Sequence, residues 1–223
     1  MKLRSKWHMS LPAQTNRFVC WSRRLFLFIG VLALGYVGFA FADAKIYQSY
    51  QTWRFQRALD DTKSSIGRDE HASPASIGAP RLKIETLPTG GPEGSAVGRI
   101  AISAIYLDVM ILEGIEDETL RRGVGHIPST ALPGEVGNVA IAGHRDTFFR
   151  PLRNIRKDDE ITLTTLHGSY RYRVDSTKVV EPEDVTVLDH TNDAILTLVT
   201  CYPFQFIGAA PQRFIVRAHR SLE

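Results

Sequence analysis

The sequence predicts an all-β domain, a closed or nearly closed β-barrel, that follows one transmembrane helix. The first observation is a series of short apolar runs separated by turn residues over about 125 residues, 96–220, with little helix between them. The second is an uncharged apolar stretch of 18 residues near the N-terminus, residues 25–42. The third is a segment rich in Ser, Pro and Gly within residues 64–95, which is typical of a flexible spacer between the two.

The apolar stretch at residues 25–42 reads LFLFIGVLALGYVGFAFA and is long enough to cross a hydrocarbon core as a helix. The first 24 residues carry six Lys or Arg and no acid, and Asp43 follows the stretch. This contrast predicts a cytoplasmic N-terminus and an extracytoplasmic remainder. Ala40-Phe41-Ala42 also fits a cleavage site, so a removed signal peptide is the alternative. We favour an uncleaved anchor because the stretch exceeds the usual apolar region of about 7–15 residues in signal peptides.

The net charge of +3 is distributed unevenly along the chain. Beyond the first 24 residues, 21 basic residues face 24 acidic ones. A basic N-terminal segment followed by a mildly acidic remainder is not typical of a nucleic-acid-binding protein, so we predict no nucleic-acid partner.

These features divide the chain into four predicted parts. They are a basic cytoplasmic tail (1–24), a transmembrane signal-anchor (25–42), a juxtamembrane helix with a flexible spacer (43–95) and a folded β-domain (96–223). The juxtamembrane helix is predicted over residues 44–63, where apolar and aromatic residues recur at spacings of three or four.

Seven runs in the β-domain are predicted to be strands. They are GRIAISAI (98–105), YLDVMILEG (106–114), NVAIAG (138–143), EITLTTL (160–166), YRYRVDSTKVV (170–180), AILTLVTC (194–201) and RFIVRAH (213–219). The fourth and fifth runs form a candidate hairpin with Gly168 in its turn. Residues 115–125, IEDETLRRGVG, can hold one or two helical turns.

The two cysteines, Cys20 and Cys201, lie on opposite sides of the predicted membrane span and therefore cannot pair within one chain. An exported domain with one unpaired thiol is unusual, because oxidising compartments favour paired cysteines or none. Cys201 ends an apolar strand that Pro203 interrupts. It is either a small core residue, the commoner situation, or a nucleophile presented at the end of a strand.

A nucleophilic thiol needs a nearby base or cation that favours the thiolate. The β-domain has histidines at positions 126, 144, 167, 190 and 219. His144 is the strongest candidate because it follows the apolar strand NVAIAG, where a strand exits into a loop, and His126 is the second. Arg213 and Arg217 share one face of the last predicted strand, so either can supply a cation that stabilises an oxyanion.

The combination AGHRDTFF…LTLVTCYPF…APQRFIVRA resembles the sortases, membrane-anchored cysteine transpeptidases of bacterial surfaces, and is most like their class D group. The resemblance covers about residues 96–220 and implies a closed eight-stranded sortase-type β-barrel with short helices. It implies that Cys201, in a TLxTC motif, is the nucleophile and that His144 is the general acid for the leaving amine. Arg213 is implied to steady the oxyanion and hold the substrate backbone. Thr200 is implied to serve substrate binding or site geometry.

The same resemblance implies the reaction and its partners. A sorting signal of the LPxTG type is cleaved after its Thr, and the acyl group passes to an amine of a peptidoglycan precursor or a pilin lysine. No cofactor is implied. We predict no metal, because no acidic cluster in the sequence allows the ligands of the calcium site of some sortases to be placed.

Leu87-Pro88-Thr89-Gly90, in the spacer, resembles a shortened sorting signal and is either a weak pseudo-substrate or an ordinary Pro/Gly linker.

Two alternatives remain at this point. A papain-like peptidase places its Cys at the start of a helix with the His downstream, whereas His144 precedes a strand-borne Cys201 here. A non-catalytic exported β-domain that binds envelope partners predicts an unreactive Cys201.

Overall fold

The structure, a computed structural model, describes residues 13–69, 91–206 and 208–221. Residues 87–90, which the sequence analysis singled out as a possible pseudo-substrate, lie outside these ranges.

The β-domain is a closed barrel of eight strands in the spatial order β1-β2-β3-β4-β7-β8-β6-β5. The strands are β1 (Ala96–Ile102), β2 (Leu107–Glu113), β3 (Val124–His126), β4 (Asn138–Ala142), β5 (Glu160–Thr165), β6 (Gly168–Val180), β7 (Ile195–Tyr202) and β8 (Gln212–Arg220). Pairing of β1 with β5 closes the barrel. The β2–β3 and β4–β7 pairs are parallel and the others are antiparallel. The predicted closed eight-stranded barrel is confirmed.

Each of the seven predicted strands overlaps an observed strand, and β5 and β6 form the predicted hairpin, in which Thr165 pairs with Gly168. The eighth strand, β3, was not predicted, because three residues are too few to show the alternation that marks a strand. A helical turn predicted within residues 115–125 is present as α2 (Asp117–Arg122). The short 3₁₀ helices are Ser103–Ile105, Arg150–Asn154 and Val185–Leu188.

Alternation of side chains along the strands fills the barrel and leaves the opposite face outside. The interior is packed with aliphatic and aromatic side chains, among them the completely buried Ile100, Leu163, Tyr172, Leu196 and Val216. Burial of each such side chain stabilises the fold by about 1.5–3 kcal/mol. The residues between them along β7 and β8 point outward, and this outer face carries the candidate site.

The N-terminal helix α1 extends over Ala13–Asp69. It includes Val19–Phe39, an exposed segment long and apolar enough to cross a membrane, which begins six residues before the predicted span. It also includes the predicted juxtamembrane helix and continues six residues into the segment that we expected to be a spacer. The chain divides at Asp43 into two compact units, of which the second, Ala44–Glu223, contains the barrel.

Within the second unit, α1 packs on the outer face of β2. Phe55 forms a small buried cluster with Met110 and Leu112. The side-chain oxygen of Gln48 accepts a hydrogen bond from the Met110 backbone N–H at 3.0 Å, and its amide group donates to the Arg122 carbonyl. The Gln48 amide therefore satisfies the backbone beside β2 just before the pairing of β2 with β3 begins.

Replacement of Gln48 with Ala is expected to lower the free energy of unfolding of the β-domain by about 1–3 kcal/mol, because it leaves two half-buried backbone groups without their partner. Thermal unfolding of the full chain in detergent micelles measures this effect. Ser49→Ala, at the exposed neighbouring position, is the matched control and should leave the melting temperature unchanged. Equal melting temperatures for both variants would contradict the proposed contact.

Candidate active site

Cys201 lies near the end of β7, on the outer face of the barrel. Leu196 and Leu198 of the same strand point into the core, so Val199 and Cys201 point outward. Cys201 is half-buried and is paired in register with Arg213 of β8. The thiol is therefore neither a core residue nor fully exposed, which resolves the first question that the sequence left open about this residue.

Cys201, His144 and Arg213 line one groove with a volume of about 400 Å³. The floor is the outer face of β4, β7 and β8, and the walls come from the α2 region and from the segment that connects β6 to β7. The walls are mainly aliphatic and include Ile115, Leu120, Ile127, Val185, Val187 and Leu188. The structure thus places the three predicted catalytic residues around a common, largely apolar space.

His144 reaches the groove because β4 runs parallel to β7. Ala142 is paired with Val199, and the Gly143 N–H continues the ladder by donating to the Val199 carbonyl at 3.1 Å. Parallel strands end at the same edge, so His144 and Cys201 emerge side by side from adjacent strand ends. A side chain at Gly143 would place its Cβ 2.7 Å from the ring of Phe149, so glycine is required there by close packing.

The Thr200 side chain ties these two strand ends together. Its hydroxyl donates to the Gly143 carbonyl at 2.7 Å, and the residue is only 2% exposed. Two roles were predicted for Thr200, substrate contact and site geometry. The burial of its hydroxyl favours the second, because a hydroxyl bonded to the backbone beside His144 is not free to bind a substrate.

We expect Thr200→Val to reduce the free energy of unfolding by about 1–3 kcal/mol, because a buried carbonyl loses its donor while the side-chain volume is kept. The turnover number on a substrate peptide should fall as well, because His144 is no longer fixed against β7. Thr200→Ser keeps the hydroxyl and should restore both quantities. Denaturant unfolding and peptide cleavage measure them. Unchanged stability and turnover in Thr200→Val would contradict the proposal that this hydrogen bond holds His144 against β7.

The guanidinium of Arg213 is held by the backbone through one of its three nitrogens. Its Nη1 donates to the carbonyls of Ala210 and Gln212 at 3.2 and 3.0 Å. Its Nε and Nη2 have no hydrogen-bond partner among residues 13–69, 91–206 and 208–221. The guanidinium therefore presents donors and a fixed positive charge to the groove that it lines.

One wall of the groove is held by a buried amide. Asn138, at the start of β4, donates through Nδ2 to the carbonyls of Val187 and Asp189 at 2.9 and 3.2 Å. Its Oδ1 accepts a hydrogen bond from Thr197 of β7 at 2.7 Å. The side chain is 1% exposed, so these bonds form away from water. Asn138 thus fixes the β6–β7 connection over the floor of the groove, a role that its place in the sequence did not indicate.

Arg145 is a second residue that the sequence analysis missed. It directly follows His144 but is only 6% exposed. Its Nε and Nη2 donate to the Asp146 carboxylate at 3.0 and 2.9 Å, and its Nη1 donates to the Pro203 carbonyl at 2.8 Å. The hydrogen bonds with Asp146 raise the pKa of Arg145 and lower the pKa of Asp146. The only signal in the sequence was an arginine directly after the candidate histidine.

His126, the second histidine candidate, is not in the groove. It is 1% exposed, and its Nδ1 lies 3.0 Å from the carboxylate of the buried Glu113. Its Nε2 lies 3.0 Å from the Ala131 carbonyl, which only accepts, so Nε2 carries a proton and donates it. Both ring nitrogens are therefore used inside the fold, and His126 has a structural role.

Within the part of the chain that the structure describes, no group of three or more His, Cys, Asp or Glu side chains is arranged to hold a metal ion.

Comparison with known proteins gives consistent matches. A family model described as Sortase domain matches residues 100–221. Sortase D of Bacillus subtilis (strain 168) is 30% identical over 194 residues, which cover 86% of this chain and 93% of that protein. The solved structure of a Clostridium perfringens Sortase D5 transpeptidase matches with a TM-score of 0.59 and 26% identity, covering 78% of this chain and 98% of its own. That of Listeria monocytogenes sortase A matches with a TM-score of 0.54 and 30% identity over 57% of this chain and 88% of its own.

The matched region includes the barrel and the groove, and the likeness to class D expected from the sequence agrees with the two sortase D matches. Sortases are cysteine transpeptidases that act on surface proteins, so the papain-like alternative no longer applies. The chain belongs to the sortase family of cysteine transpeptidases.

Proposed function

We propose that this sortase cleaves an LPxTG-like sorting signal after its Thr and transfers the acyl group to an amine of the cell envelope or of a pilin. The observation that carries the proposal is the convergence of three side chains on one groove: His144 and Cys201 at adjacent ends of parallel strands, and Arg213 beside Cys201 in register.

In the first step, the Cys201 thiolate attacks the carbonyl carbon of the substrate Thr, and the electron pair of the C=O bond moves onto oxygen. The Nε and Nη2 donors of Arg213, which have no partner in the described part of the chain, supply hydrogen bonds and positive charge for that oxyanion. Collapse of the intermediate breaks the C–N bond, and His144 gives its proton to the departing amine. The product is a thioester on Cys201 and a free C-terminal fragment.

In the second step, an incoming amine attacks the thioester carbonyl while His144, now neutral, removes a proton from its nitrogen. The C–S bond breaks, a new amide forms and the thiolate returns. Water in place of the amine gives hydrolysis, so access of the acceptor to the groove decides between transfer and cleavage.

The aliphatic walls of the groove favour a substrate with apolar residues before the scissile bond. Ile115, Leu120 and Ile127 on one side and Val185, Val187 and Leu188 on the other offer surface for a Leu-Pro pair. This is the observation in the structure that supports a signal of the LPxTG type over a charged one.

We also propose that the apolar segment of α1 is an uncleaved, single-pass membrane anchor with the catalytic domain outside. Val19–Phe39 is exposed along its length. Of the six basic residues in the first 24 positions, four precede this segment and two, Arg23 and Arg24, lie near its N-terminal end, on the side predicted to be cytoplasmic. Protease protection in sealed spheroplasts tests this orientation, since the barrel should be digested from outside while the N-terminus is protected.

The proposed reaction is tested with the full chain in detergent micelles and a library of peptides that vary around LPxTG, in the presence of several amine acceptors. We expect cleavage after Thr and a new amide product that depends on the acceptor. A library with charged residues in place of Leu and Pro is the matched control and should remain uncleaved. Cleavage of both libraries alike, or of neither, would overturn the proposed specificity.

A further inference from the structure

Arg145 joins the two chain segments that carry the proposed nucleophile and acid. It follows His144 directly, and its Nη1 donates to the carbonyl of Pro203, two residues after Cys201, at 2.8 Å. Fork-like bonding to Asp146 fixes the plane of the guanidinium. Each of the three guanidinium nitrogens therefore donates one hydrogen bond within the fold, and the side chain, only 6% exposed, offers little surface to a substrate.

The charges near Cys201 are distributed between buried and exposed positions. Among the described residues, the charged or titratable groups that line the groove with the thiol are His144, Asp184 and Arg213. The neighbouring ion pair is formed by Arg145 and Asp146, and Arg150 and His144 also act on its carboxylate. Arg145 is 6% exposed, whereas the side chain of its partner Asp146 is 66% exposed. Water screens an exposed charge more strongly than a buried one, so the Asp146 carboxylate offsets the Arg145 charge at the thiol only in part.

The charge of the Cys201 thiolate also acts on Arg145. The pKa of Arg145 is raised chiefly by its hydrogen bonds to Asp146 and, to a smaller extent, by the negative charge of that thiolate. The buried guanidinium charge of Arg145 therefore lies within electrostatic reach of the Cys201 thiol.

We propose that Arg145 is a positioning residue that locks the Cys201 and His144 segments together and supplies a fixed positive charge beside the thiol. This inference rests on the proposed role of Cys201 as the nucleophile. The two arginines then have different roles. Arg213, whose Nε and Nη2 have no partner among the described residues, acts on the substrate, and Arg145, bonded through all three nitrogens, acts on the enzyme's own reacting groups.

The test measures the rate of iodoacetamide alkylation against pH in the full chain, with Cys20→Ala as the background so that only Cys201 reports. Arg145→Gln should slow alkylation at pH 7 by about tenfold and move the midpoint of the curve to higher pH. Asp146→Asn removes the screening partner and should move the midpoint the opposite way, to lower pH. Arg145→Lys keeps the charge and should alkylate at close to the parent rate, while its turnover on a substrate peptide falls because an ammonium cannot replace the planar fork.

The opposite signs of the Gln and Asn variants separate the proposal from a purely structural role. If Arg145 merely held the fold, both variants would loosen the same ion pair and shift the alkylation curve in the same direction, or not at all, and the proposal would fail. If Arg145→Gln does not fold, Asp146→Asn and Arg145→Lys still give the two decisive directions. Alkylation needs no substrate, so expected shifts in a chain that cleaves no sorting peptide would refute the proposed function and leave this inference standing.

Discussion

Cys201→Ala is expected to lower the rate of sorting-peptide cleavage by at least about 10⁴-fold, because no other group in the groove can form the thioester. His144 and Arg213 remain in place in this variant, but neither can hold the acyl group. Since the change removes one sulfur atom from a half-buried position, the barrel should unfold at close to its usual temperature.

Cys20→Ala is the matched control, because it removes the other thiol, which is exposed on α1. It should retain full activity in the same detergent. Residual cleavage in Cys201→Ala within tenfold of the parent rate would show that a different residue carries the reaction, and loss of activity in Cys20→Ala would point to a requirement outside the groove.

Arg213→Ala is expected to reduce kcat/KM by about 10²–10³-fold, the usual cost of losing a donor to an oxyanion. Arg213 faces the groove with two nitrogens that bond to nothing else in the described part of the chain, and its loss removes both donors from the oxyanion. Arg145 cannot take over the stabilisation of the oxyanion, because its guanidinium is held by Asp146 and the Pro203 carbonyl.

Arg213→Lys separates charge from geometry. Lysine keeps the positive charge but offers a single ammonium in place of the guanidinium fork, so we expect an intermediate loss. Arg173→Ala, at an exposed position of β6, is the control for removal of an arginine from the barrel surface. Steady-state cleavage measures all three. Equal activity of Arg213→Ala and Arg173→Ala would contradict a role for Arg213 in the chemistry.

The sequence was sufficient to predict most of the barrel, because seven strands carry a local pattern of apolar residues bounded by turns. It also indicated Cys201, His144 and Arg213, since each stands within or just after a predicted strand, where a resemblance to known motifs could be recognised. β3 escaped prediction because its three residues have no periodicity, although they supply the parallel partner that β2 needs to close the barrel.

The supporting contacts could not be predicted, because they join residues far apart in the chain. Gln48 satisfies the backbone at Met110, 62 residues away, and Asn138 holds the carbonyl of Val187, 49 residues away. Arg145 stands beside His144, but its burial depends on Pro203, 58 residues further on. A charged residue after a strand usually faces water, and only the packed structure shows that this one does not.

The central claim, that Cys201 forms the acyl-enzyme, is tested most directly by intact-mass and tryptic-peptide mass spectrometry of the full chain after a brief reaction with an LPxTG-like peptide in the absence of amine. We predict a mass increase equal to the acyl fragment ending in Thr, located on the tryptic peptide that contains Cys201 and reversed by hydroxylamine. An adduct on any other residue, or cleaved peptide with no adduct under conditions that trap thioesters, would contradict the account.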